Sequence, residues 1–323
     1  AWLANNDLTY EKKHELNFGL DAGFLNNRIN FTFDIYTRRN YDLIGATNTM
    51  GIGGETTKYG NVAKMKSNGV ELSLNTVNIK TKDFTWTTDF IYSHMHNEVT
   101  ELNTLNRLYD YISGYGFTMP GYPQRSLFSI PFAGLNNEGL PTFYDPDGNI
   151  TVTGIDMQEY DPERLKFLKY EGPADPTDVG SLGNIFRYKN LTLNLFITYS
   201  FGNVVRLDPV FSSQYSDLTA TPKEFNNRWI KPGDEKFTNI PVIASKQQLN
   251  NIAYLSRAYQ SYNYSTARVA KGDFIRMKEI SLAYEFPKTL TQPLHLSNLS
   301  LKLQATNLFL LYADKKLNGQ DPE

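Results

Sequence analysis

The run Leu191 to Phe201, LTLNLFITYSF, constrains this chain more than any other. Leu191, Leu193, Leu195, Ile197, Tyr199 and Phe201 alternate with Thr192, Asn194, Thr198 and Ser200, and Phe196 is the one exception. A period of two makes a strand with one apolar and one polar face. Such a strand rises roughly 36 Å. Tilted by about 45°, it spans roughly 25 Å, the height of the apolar band of an outer-membrane barrel. The strands of a packed sandwich are usually shorter, about 5 to 6 residues.

The unit recurs as hairpins. Leu16–Phe24 returns as Ile29–Thr37 through LNNR, where Asn suits a positive-φ turn. Val70–Asn75 pairs with Phe84–Tyr92 through KTKD, and Val179–Phe186 with the opening run through RYKN. Leu127–Ala133 is read against Leu140–Tyr144, and Phe274–Phe286 against Leu299–Leu308. In that last pair the alternation slips near Lys278–Ile280, which predicts a bulge. The reading gives about ten strands, with short turns on one side and long connections on the other, at residues 38–68, 97–125, 145–177 and 202–272. Long connections argue against one compact domain and for strands that cross a slab. The predicted fold is therefore all-β, an antiparallel transmembrane β-barrel segment.

The faces follow from parity. Asp89, Asn194, Thr198 and Ser200 are expected to line the lumen. Phe84, Trp86, Tyr92, Tyr199 and Phe201 sit near strand ends, where aromatic girdles meet the two membrane interfaces. No stretch approaches the roughly 20 apolar residues of a membrane helix, which says nothing against a barrel. Lys plus Arg number 32 against 34 Asp plus Glu, so no basic excess points to nucleic acid. The absence of cysteine excludes disulfides and thiolate chemistry. The opening residues carry no signal-peptide pattern, and the chain reads as a segment of something longer.

Several words resemble the C-terminal half of the SusC/RagA family of TonB-dependent outer-membrane transporters of Bacteroidetes. They are SNGVELSLNTVNIKTKDFTWTTDF, FAGLNNEGLPTFYDPDGN, GSLGNIFRYKNLTLNLFITYSFGN, RWIKPGDE, GDFIRMKEISLAYEFPKTL, LQATNLFLLY and LNGQDPE, in order along the chain. The resemblance implies that residues 1–323 are part of a 22-strand barrel, with short periplasmic turns and long extracellular loops. Plug domain, TonB box, first half of the barrel and last strand would lie outside them. It also implies a bacterial outer-membrane location, uptake of oligosaccharides or peptides driven through TonB, and a SusD-like surface lipoprotein as lid. The alternative from another class is a secreted β-sandwich or solenoid that binds carbohydrate.

Chemistry-bearing motifs are sparse. His94 and His96 share a strand face, but no acidic or cysteine cluster completes a metal site. Asp145–Asn149, DPDGN, echoes the opening of a calcium loop, with Ile150 where Gly is needed and Asp156 where Glu is needed. A turn is the simpler reading, so no cofactor is expected and calcium is the sole candidate. No nucleophile elbow, zincin or phosphate-loop motif is present, and no enzymatic activity is expected. The loop Asn106–Arg125 carries Tyr109, Tyr111, Tyr115, Phe117 and Tyr122, candidates for contact with nutrient or lid. Thr221–Lys231 reads as a short helix with Thr221 as cap, and Trp229 as a structural anchor in its loop.

Overall fold

The computed structural model describes residues 8–48, 54, 57–104, 106–113, 119–210 and 222–323. Along the chain, β1 (Lys12–Phe24), β2 (Ile29–Asn48), β3 (Thr57–Lys80) and β4 (Phe84–Leu102) come first. Next are α1 (Leu108–Ser113), β5 (Ser126–Ser129), β6 (Phe132–Leu135), β7 (Pro141–Tyr144), β8 (Ile150–Thr151), α2 (Pro162–Leu165) and β9 (Lys169–Pro173). Then follow β10 (Asp178–Tyr188), β11 (Leu191–Phe201), β12 (Val204–Arg206), α3 (Lys246–Asn251), α4 (Leu255–Asn263) and β13 (Val269–Lys271). Last are β14 (Phe274–Glu285), α5 (Lys288–Thr291) and β15 (Ser300–Ala313).

Eight of these strands form one antiparallel sheet in the order β1-β2-β3-β4-β10-β11-β14-β15. Every neighbour in that order is also the next long strand in sequence, the meander of a barrel wall. The links β1–β2, β3–β4, β10–β11 and β14–β15 share one edge, and the links β2–β3, β4–β10 and β11–β14 share the other. Turn chemistry fixes the short edge: Leu25, Asn26 and Asn27 all take positive φ, as does Lys189 in the two-residue link to β11. The predicted bulge is present, with the register shifting between Met277 and Glu279.

Two expectations are corrected. The sheet holds eight strands rather than about ten. Leu127–Ala133 and Leu140–Tyr144 do not cross it but form short pieces of two small separate sheets. Four-residue strands are too short to cross a membrane, and their apolar residues face a core instead. Much of 38–68 and 97–102, read as loop, is strand, because β2, β3 and β4 run for 20, 24 and 19 residues. Register shifts at Asn40/Leu43 and Lys64/Met65 reset the parity there, so simple alternation loses the strand. The helix predicted at Thr221–Lys231 is a 3-10 turn over Lys223–Asn227, and Thr221 lies outside the described residues.

The apolar face is continuous. In register, Phe18, Ile35 and Val70 stand side by side, as do Leu182, Ile197 and Met277. Among the described residues nothing covers this face: Leu16 is 73 % exposed, Phe18 63 % and Leu303 63 %. A sandwich buries that surface against a second sheet, so the sandwich reading fails here. The main buried core lies off the sheet. Leu108, Ile112, Phe128, Ile130, Leu140 and Phe143 pack with Leu255, Ala258 and Tyr262, binding the long connections into a loop layer with its own interior.

Gly180 shows how tightly the wall is fitted. It stands in register between Tyr92 and Tyr199, and the Tyr199 hydroxyl crosses over it to donate to the Ile91 carbonyl at 2.8 Å. A Cβ on Gly180 would collide with both Tyr199 and the Ile91 carbonyl. Gly180→Val is expected to displace the ring and cost about 1–3 kcal/mol. An unchanged melting temperature of the detergent-purified parent protein would refute this fit.

Candidate functional site

The surface able to do work is the polar face of the sheet together with the loop layer at its long-connection edge. On the polar face, Asn75 donates to the Asp89 carboxylate, and Asn194 Nδ2 donates to Glu279 Oε1 at 3.2 Å. Thr198 lies in register between Ser181 and Arg276. Ser200, opposite Val179 and Phe274, is buried. The four lumen candidates therefore share one face. Phe196 shares it too and lies against Gly183, where an added Cβ would meet its ring at 3.5 Å. Arg276, nearly buried, pairs with Asp321 and Glu323, and Lys278 Nζ lies 2.9 Å from Glu323 Oε1. The Leu317–Glu323 segment thereby folds back over this face.

The aromatic candidates occupy the other face in two ranks. At the turn edge Trp86 stacks on Phe186 at 5.5 Å, with Phe84 in register with Tyr188. Toward the loop edge Phe90, Tyr199, Phe201 and Tyr312 form a chain of ring contacts at 5.9–6.4 Å. Tyr92 donates to Asp178 Oδ1 at 2.7 Å, and His94 Nδ1 lies 2.9 Å from the same oxygen. Sequence parity misses one feature here: Asn184 stands on the apolar face and accepts from Trp86 Nε1 at 2.9 Å and Thr88 Oγ1 at 2.8 Å. A polar group set among apolar neighbours needs such partners.

The loop aromatics divide. Tyr111 meets Phe128 edge-on at 5.7 Å, and Tyr122 packs on Tyr170 at 4.8 Å. Both are packed into the loop layer and stay half-buried, and burial pushes the Tyr111 hydroxyl above its ordinary range. Tyr109 packs on Tyr264 at 5.8 Å and also lines a cleft. Tyr115 and Phe117 lie outside the described residues. Trp229 is buried, donates through Nε1 to Glu235 Oε2 at 3.0 Å, and covers Gly139, where φ is +76° and no Cβ would fit. The anchor role expected for Trp229 matches this placement.

Two arginines that no motif flags hold the loop layer. Arg206 donates from one terminal nitrogen to Ser129 Oγ at 2.9 Å and the Ser265 carbonyl at 3.2 Å. From the other it donates to the carbonyls of Ile112 at 3.1 Å and Phe128 at 2.7 Å. Burial pulls its pKa down to about 10, which leaves it charged at neutral pH. Arg268, 2 % exposed, pairs with Glu224 at 2.5 Å and donates to the Asp208 carbonyl. At DPDGN, Asp145 Oδ1 accepts from the backbone N–H of Asp147 at 3.0 Å and of Asn149 at 2.8 Å, the geometry of an Asx turn. Among the described residues no group of three or more His, Cys, Asp or Glu is placed to hold a metal.

No family model matches the chain. Curated relatives do. A TonB-dependent receptor of Formosa agariphila is 25 % identical over 99 % of this chain and 31 % of its own length. The TonB-dependent receptor SusC of Bacteroides thetaiotaomicron is 27 % identical over 99 % of this chain and 30 % of its own length. The chain thus spans about a third of the length of the curated relatives it matches. Among solved structures, the RagAB peptide transporter superposes with a TM-score of 0.72 at 25 % identity, over 100 % of this chain and 34 % of the other. A closed-closed RagAB peptide importer gives a TM-score of 0.73 at 24 % identity and shares the fold.

Proposed function

We infer that this chain, of the SusC/RagA type it matches along its whole length, works as barrel wall in a TonB-dependent outer-membrane importer. The observation that carries the reading is the eight-stranded antiparallel meander, whose apolar face stays uncovered while its connections gather into a loop layer at one edge. An uncovered apolar face of that extent needs lipid as its solvent. The loop layer then faces the cell exterior and the short turns face the periplasm. Phe84 and Trp86 sit at one interface, and Tyr92, Tyr199 and Phe201 at the other. Asp89, Asn194, Thr198 and Ser200 line the passage.

The similarity to SusC and RagA supports a SusD-like lipoprotein as partner, TonB as the source of work, and an oligosaccharide or peptide as cargo. The relatives are named as receptors and a transporter, which supports a role in import. Fractionation of the parent protein tests the reading. It should remain in the outer membrane through a high-salt wash and dissolve only in detergent. Recovery in the soluble fraction would sink the proposal.

A further inference from the structure

We propose that the loop layer contains a ligand subsite for a carboxylate flanked by hydrogen-bond donors, centred on Arg257. The proposal rests on the importer reading, because it assigns this site to the incoming nutrient. A cleft of about 400 Å³ opens in the loop layer, at the lower end of the range for small-ligand sites. Tyr109 and Met157 give it an apolar wall, and Arg107, Gln158, Arg257 and Gln260 bring amide and guanidinium groups to the same space.

The two arginines differ. Arg107 is pinned: Nε and one terminal nitrogen donate to Asp110 at 3.2 and 3.1 Å, and the other terminal nitrogen donates to Gln158 Oε1 at 3.1 Å. Its charge is answered by Asp110. Arg257 has no acidic partner among the described residues, and its guanidinium lies over the Tyr254 ring at 4.3 Å. Stacking orients the planar fork in advance, so less side-chain freedom is lost when a carboxylate binds in two-pronged fashion. Gln260 stands one helical turn along α4 from Arg257, on the same side. Asp156, also in the cleft lining, uses Oδ1 to accept from the Gln158 N–H at 3.0 Å, which leaves its other oxygen as an acceptor for a ligand hydroxyl or N–H. A carboxylate for Arg257 and a nearby donor for Asp156 occur together in an acidic sugar and at a peptide C-terminus.

Calorimetric titration of the detergent-purified parent protein separates these sources. The probes are trigalacturonate with its neutral counterpart galactotriose, and trialanine with its C-terminal amide. In one of the two pairs the acidic probe should bind about tenfold tighter. Arg257→Met should abolish that advantage and Arg257→Lys should restore part of it, since a point charge lacks the fork. Arg257 is exposed, so neither variant threatens folding. Equal affinities within both pairs, or an Arg257→Met variant that keeps the advantage, would overturn the site. Membrane fractionation of the same preparation keeps the two ideas apart. A soluble parent that still discriminates defeats the importer reading, whereas a membrane-embedded parent that does not discriminate defeats only the cleft.

Discussion

Arg206→Met should loosen the loop layer while leaving the sheet intact. The side chain ties together α1, β5 and the connection after α4 by donating to the carbonyls of Ile112, Phe128 and Ser265. Met fills much of the same volume but donates nothing, so three carbonyls lose a charged donor. The Ser265 carbonyl keeps the Arg268 N–H as donor at 3.0 Å, so the loss falls on Ile112 and Phe128, and two charge-assisted bonds at about 1.5–3 kcal/mol each come to about 3–6 kcal/mol. Lys cannot reach four acceptors at once from a single ammonium, so Arg206→Lys should fall between. Hydrogen exchange on the parent protein reads the effect directly. Amides of 108–113, 126–135 and 261–268 should exchange at least about a hundredfold faster, with β10 and β11 unchanged. Unaltered protection in those segments would show that the apolar core alone holds the layer. Slowed or faster exchange in β10 and β11 would show that layer and sheet are one cooperative unit.

The membrane-crossing parts of the fold were legible because each depends on local rules. Alternation defined Leu191–Phe201 to the residue, Asn26 and Asn27 announced a positive-φ turn, and the slip at Lys278–Ile280 located a bulge. Failures came where the same local signal has two causes. The apolar alternation of Leu127–Tyr144 reads like a lipid-facing hairpin, yet it arises from burial inside the loop layer. The outer halves of β2 and β3 were lost because register shifts break parity midway along a continuous strand. Long-range chemistry was invisible altogether. The Arg206 carbonyl partners lie 59 to 94 residues away in sequence, and the donors to Asn184 lie 96 and 98 residues away. Only the assembled register brings them together. The cleft at Arg257 belongs to the same class, drawn from three separate connections in which sequence motifs flag Tyr109 and Asp156 but not Arg257.

Ile197→Arg should be among the most damaging single substitutions in the wall, and Asn194→Arg nearly silent. Both residues lie in β11, three positions apart, with side chains on opposite faces. Ile197 stands in register between Leu182 and Met277, with apolar neighbours on both sides and no carboxylate to receive a cation. It lies near mid-strand, so a guanidinium there meets the bilayer centre and costs about 2–4 kcal/mol. Asn194 already donates to Glu279, and an arginine in its place gains that carboxylate as partner within a polar wall. Phe201→Arg supplies the depth control. It keeps the face of Ile197 but moves to the loop edge of the strand, where the expected cost falls to about 0–1 kcal/mol. Outer-membrane yield and thermal unfolding in micelles should therefore rank Ile197→Arg well below Phe201→Arg, with Asn194→Arg close to the parent. A soluble sheet with a packed apolar face would penalise Ile197→Arg too, but its yield would not depend on membrane insertion, so the ranking is read in the outer-membrane fraction. The gradient in outer-membrane yield is thus the part of the result that reports on lipid. Its absence would reassign the apolar face to a protein partner.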